Sequence, residues 1–390
     1  MDTRRNTVAL AIVPFSWISA PLGILPVNFD GCRFVCSRRR SLYCKVLSVV
    51  IALVELWHLR DVLYRRTRGA MSGVHVLTTV SYLVGNTVIV LNVYYVHTGK
   101  KKLLRCLNEM HAADNFLRRS VRAKCLIAEI YIFVTALQVI PTVTYAYLKM
   151  PEFNFKKGWS VSNVRNWAYV TIRLCGKTTM MCTGIHYCVL CMILAALVRA
   201  TNREIQFWCN SSSKSEEKLS KLRIFHAKLF FLSEEMTSLY GAFVVLNLVY
   251  VNIFFQASFF HMVTTAYTKI NAGQVMWTQD HSYSMYWIFV DAIKALAFFY
   301  SAMKVMTQSK RTGPFVTKCL NQMPSGMHRD LLSCMCIETT GMKMKMTAGG
   351  LFCLDKEMLL TSVYTCTLNL AILMQAFITD QKAGRAGGNE

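Results

Sequence analysis

Long apolar stretches recur along the chain, separated by segments in which charged residues are concentrated. Most of these stretches are close to the length that an α-helix needs to cross a bilayer. The pattern predicts an all-α membrane protein with seven transmembrane helices. The predicted spans cover residues 42–63, 74–97, 126–148, 168–198, 239–263, 284–306 and 357–379. The fourth is longer than a bilayer requires, so we expect it to continue as a helix beyond the membrane.

The seventh predicted span carries a partly polar face. Side chains three and four residues apart share one side of a helix. The residues with this spacing are Thr361, Thr365, Leu368, Ile372, Gln375 and Thr379. Lipid penalises unpaired hydroxyls and amides, so this face must meet protein or water. Three interpretations are open: a water-filled pathway, a contact between subunits, or a helix packed in its own bundle with Thr hydroxyls bonded to i−4 carbonyls.

Composition agrees with the membrane prediction. Of the 390 residues, 54% are apolar, and the mean hydropathy is +0.32, which excludes an ordinary soluble domain. A net charge of +23 would suggest nucleic-acid binding in a soluble protein. Here the basic residues lie mainly between the spans, where they set topology and meet anionic headgroups. We therefore expect contact with membrane lipid and no nucleic-acid partner.

The distribution of Lys and Arg predicts the orientation. The amino-terminal segment and the even-numbered loops hold more than twice as many as the odd-numbered loops and the tail. Positive charge stays inside, which predicts a cytoplasmic N-terminus and an extracellular C-terminus, the reverse of a G-protein-coupled receptor. All fifteen cysteines fall in spans or predicted cytoplasmic segments. None is therefore placed to form the outer disulfide that a rhodopsin-like receptor usually carries.

The segments between the spans complete the predicted organisation. Prolines at positions 14, 21 and 26 interrupt the first apolar stretch, so we interpret it as a lead-in and not as a signal peptide. Residues 100–124 and 214–231 carry Leu among Lys and Arg at helical spacing, which predicts amphipathic helices that either meet other subunits or lie on anionic lipid. The predicted divisions are a cytoplasmic segment (1–41), a six-helix bundle with a ligand pocket in its outer half (42–306), a cytoplasmic anchor segment (307–356), the seventh helix (357–379) and an extracellular tail (380–390).

Catalytic motifs are weak. Cys188-x-x-Cys191 and Cys334-x-Cys336 each lack the second pair or the added His that a structural zinc site needs. The sequence contains no Gly-rich phosphate loop, zinc-protease motif or nucleophile elbow. We expect no enzyme activity, no metal and no cofactor.

Aromatic and polar residues in the outer halves of spans two to six predict a small-molecule pocket, because aromatic faces bury ligand area while amides and a carboxylate fix orientation. Asp291 lies about two turns inside a span and needs a partner or water. Arg173 and Lys177 could pair with it and make the cluster structural. Tyr and Trp also gather at headgroup level without any ligand. The candidates are Tyr82, Gln138, Tyr145, Trp167, Tyr169, Gln256, Tyr286, Trp287 and Asp291.

The end of the chain resembles a known family. Gly-Leu-Phe-x-Leu-Asp at residues 350–355, followed by Gln375 twenty residues after the Asp, is similar to the C-terminal signature of the insect gustatory receptors. In that family the last helix ends in Thr-Tyr, five hydrophobic residues and Gln-Phe. Here Leu368 and Asn369 stand at the Thr-Tyr positions, and Ala376 stands at the Phe position. The chain therefore resembles a divergent member.

The resemblance implies a tetrameric cation channel whose seventh helices surround a central pore, with a small tastant bound in the outer half of the bundle. Four copies of Ile372 would form an apolar ring, and four copies of Gln375 a ring of neutral dipoles. Asp380 would place carboxylates at the outer mouth and attract cations. Because Ala376 stands in place of the Phe of the family, the resemblance does not fix the dimensions of the gate. The implied pore positions are Leu368, Ile372, Gln375, Ala376 and Thr379.

We therefore expect a gustatory receptor that acts as a tastant-gated nonselective cation channel in the plasma membrane of gustatory receptor neurons. Its tastant would be bitter or another non-volatile small molecule. The assembly would be a homotetramer or a hetero-oligomer with other gustatory receptors. Two alternatives stay open at this point: a seven-helix metabotropic chemoreceptor and an odorant-receptor-type channel subunit.

Overall fold

The computed structural model describes residues 7–19, 27–66, 79–80, 83–91, 98–117, 123–141, 143–144, 161–211, 214–271, 273, 279–324 and 326–386. Most of these residues are helical. The helices are α1 (Thr7–Ser19), α2 (Arg38–Arg66), α3 (Lys100–Phe116), α4 (Ala123–Val134), α5 (Val161–Asn210), α6 (Glu216–Asn271), α7 (Gln279–Asn321), α8 (Met327–Gly341) and α9 (Lys356–Ala386). Residues 83–91 are also helical, and α4 continues as a π-helix over Thr135–Val139.

Two short antiparallel hairpins modify the all-α prediction. In the first, β1 (Val27–Phe29) pairs with β2 (Phe34–Cys36). In the second, β3 (Thr347–Ala348) pairs with β4 (Phe352–Cys353) and leads into α9. Each hairpin contains glycine at positive φ, a conformation that periodicity of apolar residues does not reveal.

Helix α5 forms the centre of the molecule, packed between α6 and α7. Tyr240 of α6 contacts His186 near the middle of α5, and Lys218 at the start of α6 pairs with Glu204 near the end of α5 at 2.9 Å. The two helices are therefore antiparallel. Asn202 of α5 donates to the carbonyl of Gln308 in α7.

The outer helices follow the same alternation. Helix α4 is antiparallel to α7, because Glu129 meets Lys304 while the carbonyl of Pro141 accepts from Tyr286. Helix α9 is parallel to α6: the β3–β4 turn lies against the beginning of the apolar part of α6, and Phe377 near the end of α9 packs against Tyr267. Successive membrane crossings require such alternation. The absolute orientation stays a prediction.

A second hydrophobic core lies at the end of the bundle where α5 ends and α6 begins. Its buried residues are Ile205, Trp208, Leu219, Leu222, Val316, Cys319, Met323, Leu332 and Met335. The side chain of Arg223 donates to both carboxylate oxygens of Glu338 in α8, at 3.0 and 2.9 Å from Nε. This hydrogen bonding lowers the pKa of Glu338. Cys209 and Cys319 are joined by a disulfide with a Cα–Cα distance of 5.8 Å.

The helices predicted within residues 100–124 and 214–231 are confirmed by α3 and by the first part of α6. The expected lead-in is more than a connector, because α1 packs into the main core through the buried side chains of Val8 and Ile12. Asp114 of α3 caps α1 by accepting the backbone N–H of Thr7 at 2.6 Å. Pro14 interrupts the apolar pattern, but the backbone is helical on both sides of it.

In the described part of the chain, three helices are long and apolar enough to cross a membrane: Thr178–Asn210 within α5, Glu216–Asn271, and Lys356–Thr379 within α9. The other predicted spans are helical wherever the structure describes them. The spans at 74–97 and 126–148 extend beyond the described residues.

Candidate functional site

A tight turn before α9 fixes where that helix begins. Gly349 and Gly350 join β3 to β4 with φ of +60° and +78°, a region in which other residues are strained. Gly241 of α6 lies directly below this turn: a Cβ atom added there would stand 2.6 Å from the Cα of Gly349. The close approach of the two backbones therefore requires glycine at position 241, whereas Gly349 is favoured by its positive φ.

The remaining residues of the same sequence run anchor and cap the helix. Leu354 is fully buried, and its N–H donates to the carbonyl of Met346. The side chain of Asp355 accepts the N–H of Met358 at 2.9 Å, which satisfies one of the free donors at the start of α9. The run at 349–355 thus has a structural role in setting the direction of the last helix.

Although α9 is apolar, the rest of the described chain buries little of its surface. In its most apolar 18-residue stretch no residue is buried, whereas 94% of the corresponding stretch of α5 is buried. Its contacts are mainly with α6, through Phe377 on the rings of Phe260 and Tyr267. Helical geometry gives α9 three sides: a contact side that includes Phe377, the polar stripe, and an exposed apolar side that includes Leu360 and Ile378.

All six residues of the predicted stripe are exposed. The Thr361 hydroxyl donates to the carbonyl of Glu357 and the Thr379 hydroxyl to that of Gln375, both at 2.9 Å. The i−4 bonding considered for the Thr hydroxyls is therefore present at Thr361 and Thr379, but the stripe does not pack against other helices of the described subunit. The side-chain amide of Gln375 has no hydrogen-bond partner among the described residues. Ala376, next to it, is also exposed.

The predicted ligand residues are only partly described. Trp167 and Gln138 lie in helical backbone, in α5 and the π-helical segment, but their side chains are outside the described residues, as is the whole of Tyr82 and Tyr145. Gln256 is buried on α6, donates to the Oδ1 of Asn252 and lies within hydrogen-bonding reach of Cys366 on α9. Gln256 therefore contacts the pore candidate helix.

Trp287 and Asp291 lie on one side of α7, in a buried region between α5, α6 and the segment at 83–91. Trp287 packs with Met181 and Val290. Asp291 is 4% exposed, and its Oδ1 lies 3.1 Å from the Nζ of Lys294. The distance is that of an ion pair, although the angle is not that of a hydrogen bond. The second oxygen, Oδ2, has no partner among the described residues.

Sequence reasoning missed the partner of Asp291. It considered Arg173 and Lys177, whose side chains lie outside the described residues, whereas the structure shows Lys294 on the same helix. The spacing of three residues would have indicated this pair. The Lys294 ammonium also lies 5.4 Å from the centre of the Tyr250 ring. That ring rests on Gly85, where a Cβ would come within 2.8 Å of it.

Tyr286 contacts a distorted part of α4. Its hydroxyl donates to the carbonyl of Pro141, just after the π-helical segment. Proline has no N–H and displaces the carbonyl four residues earlier, which explains why regular helix geometry is lost here. The structure thus brings Tyr286, Trp287 and Asp291 together on α7, while Gln256 lies toward α9.

Comparison with known proteins identifies the class. The family model described as "7tm Chemosensory receptor" matches residues 12–379. The chain belongs to this family of chemosensory receptors. Among curated proteins, none matches the sequence.

Solved structures agree on the fold. The insect olfactory receptor OR5 from Machilis hrabei superposes with a TM-score of 0.68 at 12% identity, covering 95% of this chain and 100% of that one. The same receptor in complex with eugenol gives a TM-score of 0.69 at 12% identity and the same coverage. The chain therefore has the fold of an insect olfactory receptor, and the resemblance to the insect gustatory receptors noted at residues 350–355 is confirmed at the level of the wider family of chemosensory receptors.

Proposed function

We propose that the chain is a subunit of a tastant-gated nonselective cation channel of the gustatory type. The observation that carries this proposal is the exposure of α9: a helix apolar enough to cross a membrane, with no buried residue in its most apolar stretch. Lipid suits its apolar side, but an exposed Gln375 amide requires water or another subunit. Copies of α9 around a common axis provide neighbouring subunits and enclose a water-filled pore.

In this assembly, a homotetramer, the pore is lined by Leu368, Ile372, Gln375, Ala376 and Thr379. Seven spans put the two termini on opposite sides of the plasma membrane of gustatory receptor neurons, and the excess of Lys and Arg assigns the N-terminus to the cytoplasm and the C-terminus to the outside. The tastant binds in the outer half of the bundle near Trp287 and Asp291. The Oδ2 of Asp291, which has no partner among the described residues, offers an acceptor to a ligand hydroxyl or ammonium group.

The central experiment is whole-cell recording from cells that express this chain alone, with G-protein signalling blocked. The applied panel contains sugars, alkaloids and amino acids. We expect a ligand-evoked cation current, and we expect Gln375→Ala to change its relative ion permeability, because the ring of amide dipoles is lost.

The matched control is Thr367→Ala. Thr367 is an exposed polar residue on another side of the same helix, and its hydroxyl already donates to the carbonyl of Val363. Its removal should leave permeability unchanged. Equal permeability ratios in wild type and Gln375→Ala, at normal surface expression, would remove Gln375 from the pore. A current that disappears when G-protein signalling is blocked would favour a metabotropic receptor.

An odorant-receptor-type channel is the second candidate, and the likeness to the OR5 structures favours it. The Gly-Leu-Phe-x-Leu-Asp run at 350–355 favours the gustatory type. The two differ in ligand class, so the panel should also contain volatile phenols, including eugenol, which OR5 binds in its complex. Responses confined to volatile compounds would replace the gustatory assignment and leave the channel mechanism intact.

A further inference from the structure

A cleft opens between the end of α7 and the end of α8, outside the regions discussed so far. Its volume is about 870 Å³, which is within the range of small-molecule sites. We call it the basic cleft. Residues that line it include Lys310, Thr317, Lys318, Gln322, Thr340 and Lys343.

The charge of the basic cleft is one-sided. Three lysines line it, and no Asp or Glu does. In the described structure Lys310, Lys318 and Lys343 have no carboxylate within ion-pair distance. Other lysines of the same end of the molecule are paired, as Lys218 is with Glu204 and Lys221 with Glu217. Three lysines that line one concavity without a carboxylate partner among the described residues give it a positive potential.

The hydrogen-bonding groups also favour an anion. The hydroxyls of Thr317 and Thr340 donate to backbone carbonyls of Gly313 and Cys336, so their protons are already used. The donors left for a ligand include the three ammonium groups and the side-chain amides of Asn321 and Gln322. A ligand that satisfies them must present several acceptor oxygens and negative charge, as phosphate groups do.

The cleft lies close to the predicted inner face of the membrane. Lys310 follows the predicted end of the sixth span by four residues, and Ser309 accepts the N–H of Met344, which brings Lys343 to the same level. Anionic lipids concentrate in the cytoplasmic leaflet. We propose that the basic cleft binds a multiply phosphorylated inositol headgroup, carried either by a membrane phosphoinositide or by a soluble inositol phosphate.

This inference uses the cytoplasmic position assigned under the proposed function, but its test does not use channel activity. The purified receptor is titrated with inositol trisphosphate and, separately, with a short-chain phosphatidylinositol bisphosphate. The test variant combines Lys310→Gln, Lys318→Gln and Lys343→Gln. We expect saturable binding to the wild type, and a loss of affinity on the order of 100-fold in the variant, as removal of three lysines near an anionic group implies.

The control variant combines Lys45→Gln, Lys101→Gln and Lys356→Gln, which removes the same charge from exposed positions elsewhere, each within four residues of a predicted span end. It should bind like the wild type. Thermal unfolding must show that both variants are folded. Tighter binding of the lipid than of inositol trisphosphate identifies a membrane source, and equal binding a soluble one. Absence of saturable binding to the wild type, or equal loss in both variants, overturns the proposal.

Discussion

Helices α5 and α9 have similar apolar composition but opposite surroundings. The most apolar stretch of α5 is 94% buried within the chain, and that of α9 has no buried residue. Both are long enough to cross a bilayer. In a membrane, apolar composition satisfies lipid and protein neighbours equally, so it does not determine which of them a helix will meet. The comparison separates a helix that holds the subunit together from one that is available to other subunits.

The largest expected difference comes from placing the same polar residue in each helix. Leu190 of α5 is fully buried, so Leu190→Asn loses its packing and buries an unpartnered amide, at a cost of about 3–5 kcal/mol. That is a large part of a typical domain stability. Ile372 of α9 is 55% exposed, and Ile372→Asn should leave folding intact while changing the evoked current. Surface expression and thermal unfolding in detergent measure the stability of each variant, and whole-cell recording measures the evoked current. Equal destabilisation by the two variants would show that α9 is packed like α5.

The sequence could predict most of the helices, because a continuous apolar run is visible in it. The helix that contains 168–198 does extend well beyond the predicted span, as expected, and 357–379 lies within α9. The burial of α5 and the exposure of α9 could not be predicted, since that depends on which neighbours occupy each side. The Gly-rich turn at residues 349–350 is visible as a motif. Its contact with Gly241 is not, because Gly241 lies more than a hundred residues earlier in the chain.

The candidate sites could also be predicted only in part from the sequence. The stripe on the last helix follows from spacing alone, and its exposure in the subunit depends on the tertiary structure. The grouping of Trp287 and Asp291 also follows from their spacing on one helix. The ion pair between Asp291 and Lys294 is visible in the sequence at i,i+3, whereas the candidate partners Arg173 and Lys177 lie in another span. The contact of Tyr250 with Gly85 required the tertiary structure, because the two residues lie in distant parts of the chain.

The contact between Gly241 and the turn before α9 is the next point to test. Gly241→Ala places a methyl group against the backbone of Gly349, which cannot move aside as a flexible side chain could. We expect a loss of about 1–3 kcal/mol and a displaced start of α9. Gly313→Ala is the control, because no atom lies within 4 Å of its added Cβ, and Ala favours a helix over Gly. Thermal unfolding should therefore rank Gly241→Ala below wild type and Gly313→Ala at or above it. The reverse ranking would contradict the close approach.

The proposed packing of α9 against sister subunits predicts cross-linking. In a Cys366→Ser background, Thr365→Cys places a thiol on the exposed stripe, and Thr201→Cys places one at a fully buried position of α5. A membrane-permeant bismaleimide should give covalent dimers in native membranes with the first variant only, above the level of the background protein. Dimers with neither variant would leave the stripe without a neighbouring subunit, and the shared pore would lose its support.

The smallest expected effect concerns the disulfide of the second core, which joins the ends of α5 and α7. In the predicted orientation Cys209 and Cys319 lie in the cytoplasm, where thiols are kept reduced. Cells lysed directly into an alkylating reagent should therefore yield protein with both residues alkylated, and Cys209→Ser should not change the evoked current. Mass spectrometry of the labelled peptides reads out the state of each cysteine. A bonded pair in freshly lysed cells would instead place the second core on the oxidising side. Because α6 and α9 are parallel, the Gln375 end of the last helix would then face the cytoplasm, and the exposed stripe would have to be reinterpreted in a reversed receptor.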